Sequence, residues 1–200
     1  MTAVGFTKAT ITVFDEELKP VAGKQYVIKG ETDKGVTKTF EISNLTPEAL
    51  KIYGSDIPYQ ILQQGVGDVL ATFTALDLPF DTENIILGRG KKEGADGYYY
   101  AGEDTNPPFC SIVFESHAMN NDVLGFALFA GKFGLNAVSG KTKEGNNTEP
   151  DADSYSFAPI SKKIDDKNKV VGFARGDGML AKMMADATGT TEAGTTEGNG

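Results

Sequence analysis

His117 is the only histidine in the 200-residue chain, so any Ser-His-Asp relay would have to pass through it. Such a relay also needs a nucleophile on a sharp, glycine-framed turn of the G-x-S-x-G kind, and the sequence contains none. His117 therefore reads as a solvated loop histidine within ESHAMNND. Cys110 is the only cysteine, which excludes an intramolecular disulfide and any cysteine-based metal cluster. It follows Phe109 in an alternating strand pattern, where a thiol acts as a small buried hydrophobe rather than a nucleophile. Gly88-Arg89-Gly90-Lys91-Lys92 has the composition of a phosphate loop. A phosphate-cradling loop precedes a helix, spaces its glycines more widely and ends in Lys-Ser or Lys-Thr. This segment follows a helical pattern instead and reads as a helix stop and basic turn. Asp151-Ala152-Asp153 opens like a calcium loop, but its sixth position is Ser156 rather than Gly and its twelfth is Lys162 rather than Glu. Acids are abundant, yet no pair stands out as the carboxylates of a glycosidase. The residues thus predict no enzyme, no cofactor and no metal.

The elements that would have to position any chemistry are mostly strands. In VTKTFEIS, Val36, Phe40 and Ile42 share one face with Lys38, while Thr37, Thr39, Glu41 and Ser43 share the other. Ala9, Ile11 and Val13 alternate with Thr10 and Thr12 in the same way. Leu124–Lys143 reads as two long strands, Val123–Ala130 and Phe133–Lys141, studded with glycines that mark bulges or close backbone approach. A charged turn, Glu144–Asp153, leads into a further strand. Three short helices are predicted. The first starts at Thr46-Pro47 and closes at Gly54, burying Ala49, Leu50 and Tyr53. The second spans about Thr82–Leu87 with Asp81 as its cap. The third spans Gly178–Asp186 with Asp177 as its cap and Met179, Leu180, Met183 and Met184 on one core-facing stripe. Residues 1–186 read as a single domain. Residues 187–200, rich in Thr and Gly with GTTE twice, read as a disordered tail that has nothing apolar to bury.

Composition narrows the function classes. A chain of this size buries roughly 70% of its unfolded surface and needs no staples. Its net charge is −9, which argues against tight nucleic-acid binding because phosphates are held by clustered Lys and Arg. The start MTAVGFTKAT shows no basic region followed by an apolar core, so no secretory signal is expected. The longest apolar run, Val123–Gly131, is too short to cross a bilayer as a helix, and no membrane is expected.

Three segments resemble one known family in their order and spacing: ISNLTPEALKIYG; ILGRGKKEGADGYYYAGEDTNPPF; and VLGFALFAGKFGLNAVSGKTKEGNNTEPDADSYSFAPISKK, followed by VVGFARGD. The stretch Val36–Asp177 resembles the major tail proteins, or tail tube proteins, of bacteriophages with long non-contractile tails that infect Gram-positive bacteria. The resemblance implies a mainly β fold, two packed antiparallel sheets forming a β-sandwich or barrel with a flanking short helix. It implies a structural virion protein made in the host cytoplasm, whose hexameric rings stack into a tail tube around a tape-measure protein. Tail-tip initiator and tail terminator proteins are its implied partners, with genomic DNA in transit without specific binding. Relatives often carry an extra immunoglobulin-like domain, which these residues lack. Exposed strand edges would join the subunits. The polar loop Gly30, Glu31, Thr32, Asp33, Lys34, Gly35, with a glycine at each end, is expected to order when rings stack. Glu41 and Glu115 are expected to contribute to an acidic lumen that repels phosphates. Two other readings stand beside this one. A β-sandwich module binding carbohydrate or a receptor would display aromatic platforms beyond Tyr98-Tyr99-Tyr100, and the absence of Trp weakens it. An acidic hydrolase is the other.

Overall fold

The computed structural model describes residues 2–31, 34–94, 97–140, 142 and 151–189. In chain order these form β1 (Ala3–Phe14), β2 (Pro20–Ile28), β3 (Val36–Ser43), β4 (Leu50–Gly54), β5 (Ile57–Leu62), β6 (Leu70–Leu76) and α1 (Phe80–Ile86). They continue as β7 (Gly90–Lys91), β8 (Tyr99–Tyr100), β9 (Cys110–Ala118), β10 (Val123–Leu135) and β11 (Asp153–Ile160). The last elements are β12 (Lys162–Ile164), β13 (Lys167–Lys169), β14 (Val171–Arg175) and α2 (Asp177–Thr188).

The main sheet runs β2-β1-β9-β10-β11-β6-β3, antiparallel at each pairing, with β14 added against β10. On the edge away from β9, β10 serves two neighbours along its length: Leu124–Leu128 pair with β14, and Ala130–Leu135 pair with β11. The register with β9 shifts between Leu128 and Gly131, the kind of irregularity that bends a strand. The sheet curls until β3 meets β1. There the Thr37 hydroxyl donates to the Phe6 carbonyl at 3.2 Å, and the Phe6 and Phe40 rings meet edge to face at 4.9 Å. One apolar core fills the inside, including Ile11, Phe73, Ile112, Phe114, Tyr155 and Phe157, all 0–1% exposed. Each such side chain contributes roughly 1.5–3 kcal/mol by leaving water. The expected mainly β sandwich or barrel is what the chain forms.

β9 and β10 are covered on both faces. Ile112, Phe114 and Leu128 point into the barrel, while Val113, Ala127 and Phe129 pack with Ala174, Met183 and Ala187 beneath α2. Gly125 makes room for this: a Cβ there would lie 2.6 Å from Leu180 Cδ1 and 2.7 Å from Met183 Cε. Lys162 Nζ donates to the Asp186 carbonyl at 3.0 Å and sits 4.4 Å from the Phe14 ring centroid, so it ties the end of α2 to the barrel.

Several expectations need correction. The helix expected from Pro47 to Tyr53 is a hairpin, β4–β5. Ser55 and Asp56 adopt φ of 51° and 62°, the left-handed pair of a tight hairpin turn, and the flanks are rich in Ile, Tyr and Leu. A local capping signal lost to turn chemistry. The expected strand pair Val123–Ala130 and Phe133–Lys141 is replaced by the single strand β10, which ends at Leu135, and residues 136–140 form no strand. Asp81 and Asp177 lie inside the first turns of their helices, whose N-caps are Pro79 and Gly176 with no side-chain cap. Met179 is 57% exposed and off the core stripe, whereas Met183 is buried. The hairpin β12–β13, turning at Asp165-Asp166, was not anticipated. α2 extends to Thr188, whose hydroxyl donates to the Met184 carbonyl at 2.8 Å. Residues 190–200 of the expected tail and residues 143–150 of the charged turn lie outside the described residues.

Candidate assembly surface

The residues that could have done chemistry are absorbed by the fold. His117 is half-buried within β9, opposite Val4 and Val123, rather than in a loop. Cys110 is fully buried, and burial pushes its thiol up to about 12, far from a reactive thiolate. α1 stops at Gly88 (φ 62°), and Arg89 turns back to bond Asn84 Oδ1 at 3.1 Å and Glu83 Oε1 at 3.4 Å. Lys91 and Lys92 lie over the rings of Tyr99 and Tyr98, at 5.1 and 5.5 Å from their centroids. The basic turn is thus a small aromatic hairpin, not a phosphate cradle. The Tyr99 hydroxyl donates to Asp81 at 2.7 Å and the Tyr100 hydroxyl to Asp104 at 3.2 Å, which ties both rings down. Among the described residues no group of three or more His, Cys, Asp or Glu could hold a metal ion, and no helix is long and apolar enough to cross a membrane.

The loop residues Gly30, Glu31, Lys34 and Gly35 form a closed turn, while Thr32 and Asp33 lie outside the described residues. The Gly30 N–H donates to the Gly35 carbonyl at 3.0 Å. The Glu31 carboxylate takes Lys29 at 2.6 Å and Lys34 at 2.5 Å, and these two hydrogen-bonded ammoniums hold its carboxyl down at about 2. Glu41 is exposed on the outward face of β3, whose inward residues Phe40 and Ile42 join the core. Around it the outward face of β3, β6 and β11 is short and hydroxylated: Thr39, Thr72, Thr74, Ser154 and Ser156, in register across the strands. Glu115 stands on β9, paired with Lys8 at 2.6 Å, its side chain only 12% exposed. The two acids therefore differ: one is an exposed charge, the other is largely covered and balanced.

The feature that sequence reading missed is the β4–β5 arm. Every residue of both strands is exposed. The register pairs Lys51 with Ile61 and Ile52 with Gln60, so Lys51, Tyr53 and Ile61 share one face and Leu50, Ile52, Gln60 and Leu62 the other. Tyr53 is 64% exposed and Tyr59 77%. An isolated two-stranded hairpin is marginal in water, and this one keeps apolar residues on both faces between 38% (Ile52) and 77% (Tyr59) exposed among the described residues. Its root is held by the Gly67 N–H on the Leu45 carbonyl (3.3 Å) and by Gln63 Nε2 on the Pro47 carbonyl (3.0 Å), beside a cavity of about 540 Å³. The signal was available in the sequence: Gly-Ser-Asp between two Ile/Tyr-rich runs.

A family model described as phage tail tube protein matches residues 1–195. No curated protein matches the chain.

Proposed function

The chain belongs to the phage tail tube protein family, a structural component of the virion tail that assembles into its tube, and from that premise we propose that it forms hexameric rings which stack into a conduit for genomic DNA. The observation that supports this reading is the exposed arm: β4 and β5 present apolar side chains on both faces that no described element of the subunit covers, and other copies of the chain would bury them. A tape-measure protein inside the tube, a tail-tip initiator and a tail terminator complete the assembly. Synthesis is in the cytoplasm of a Gram-positive host, and the tail is long and non-contractile. The hydroxylated face of β3, β6 and β11 lines the lumen. The short hydroxyls are neutral and the Glu41 carboxylate repels phosphates, while Glu115 adds less because Lys8 balances it. The loop Gly30–Gly35 takes part in ring-to-ring contact.

Electron microscopy of concentrated protein, alone and with a tail-tip initiator, tests the reading. Stacked rings are expected. A sedimentation profile that stays monomeric at every concentration, with or without initiator, overturns it. Particles carrying Glu41→Lys are expected to assemble but to eject DNA more slowly at low salt, where screening is weakest. Wild-type ejection kinetics from them would remove Glu41 from the lumen and leave the tube. Deleting residues 31–34 is expected to leave a folded monomer that builds no tubes. Normal tubes from that variant would take the loop out of the contact.

A further inference from the structure

The arm leaves the barrel at one end, and a recess opens at the other. The main sheet is antiparallel throughout, so Ser43 and Leu70, which flank the arm, lie at the end where β1 begins. The end where β1 finishes carries the recess, of about 430 Å³ and lined by Phe14, Asp15, Glu16, Pro107, Pro108 and Phe109. Lys132 forms part of one wall, where it donates to Asn106 Oδ1 at 2.8 Å and lies 4.9 Å from the Phe109 ring centroid. Asp15 holds the turn by accepting the Glu17 and Lys19 N–H groups, both at 2.9 Å, and Glu16 is exposed.

We propose that this recess is the seat for the β4–β5 arm of a second copy of this chain, which presents its Lys51, Tyr53 and Ile61 face. The proposal rests on the tube reading and deepens it by naming the joint. Chemistry matches on both sides. The recess offers proline and phenylalanine surface for the Tyr53 ring and the Ile61 side chain. It also offers two carboxylates against one lysine that is already engaged, so the side with surplus negative charge meets the arm strands, whose one charged side chain is Lys51, with Asp56 beyond them in the turn. Because arm and recess sit at opposite ends, a subunit cannot fill its own seat. The contact is heterologous, leaves a free arm and a free recess at each step, and repeats along an axis. The opposite arm face, with Leu50, Ile52 and Leu62, is left for a different neighbour.

Charge exchange in the full-length chain tests the joint. Lys51→Glu and Glu16→Lys are both exposed changes and are expected to leave the circular dichroism of the subunit unchanged. Each is expected to raise the concentration needed for tube formation about fivefold, the scale of an exposed ion pair, and the double variant to return to within about twofold of wild type. A chain carrying both Glu16→Cys and Tyr53→Cys is expected to give a ladder of covalent multimers when assembled tubes are oxidised. Each single variant is expected to give none, with buried Cys110 silent. Wild-type tubes whose double-cysteine counterparts yield no ladder, or charge variants whose effects add rather than cancel, overturn the seat while leaving the tube. A wild-type chain that never assembles overturns both.

Discussion

Replacing Ile57, Tyr59 and Ile61 together by Thr separates folding from assembly. These side chains are 59%, 77% and 58% exposed in the subunit. Full burial of such a residue is worth about 1.5–3 kcal/mol, so roughly two thirds of that is still to be gained when another copy covers the arm. Three residues then contribute about 4 kcal/mol per subunit to assembly, and the variant is expected to raise the concentration for tube formation by about 10²–10³-fold. Association recovers only part of the buried-area value, yet half of it still gives a shift above about tenfold. Thr keeps a strong strand preference, so the hairpin persists, and the subunit is expected to keep its melting temperature within about 3 °C. Sedimentation over a concentration series measures the first effect, and thermal denaturation of dilute subunits the second. Tubes at the wild-type concentration would show that the arm is not an interface. A fall in melting temperature of more than about 10 °C would show that the arm is packed within its own subunit.

Other expectations concern the subunit alone. The Tyr155 hydroxyl is fully buried without a hydrogen-bond partner among the described residues, so Tyr155→Phe is expected to stabilise by about 1 kcal/mol in urea denaturation; a loss of that size would mean the hydroxyl is bonded. Gly125→Val drives a side chain into Leu180 and Met183 and is expected to cost about 2–3 kcal/mol and to lift α2, read by faster amide exchange in α2 than in β9; uniform exchange would refute the seating argument. Glu31 has its carboxyl held at about 2, below the ordinary 4.5. The Lys29 and Lys34 pairings therefore stabilise the loop at pH above about 4.5 and are lost as pH falls toward 2. An NMR titration midpoint near 2, raised by Lys34→Ala, is expected, and a midpoint near 4 would show that the clamp does not form in solution.

The sequence by itself determined the strand content and most of the strands. Alternation in VTKTFEIS and around Ile11 reports one buried face, which a period of two makes visible without knowing the partner. The single histidine, the single cysteine and the net charge of −9 were likewise legible there, and the charge points away from tight phosphate binding. Local signals failed where two of them competed. Thr46-Pro47 promises a helix start, but the left-handed Ser55-Asp56 turn and the Ile/Tyr-rich flanks commit the segment to a hairpin, and hairpin pairing is a contact between residues that no capping rule reads. Only the tertiary structure decided what each face meets. Gly125 is a gap in a strand pattern until α2 is laid across it, and Glu115 is an acid like Glu41 until Lys8 arrives from a strand more than a hundred residues away in sequence. The arm shows this most plainly. Its apolar residues resemble those of any buried strand, and nothing local records that no other described element of the subunit comes to cover them, because burial is a property of the assembled layers and not of the segment.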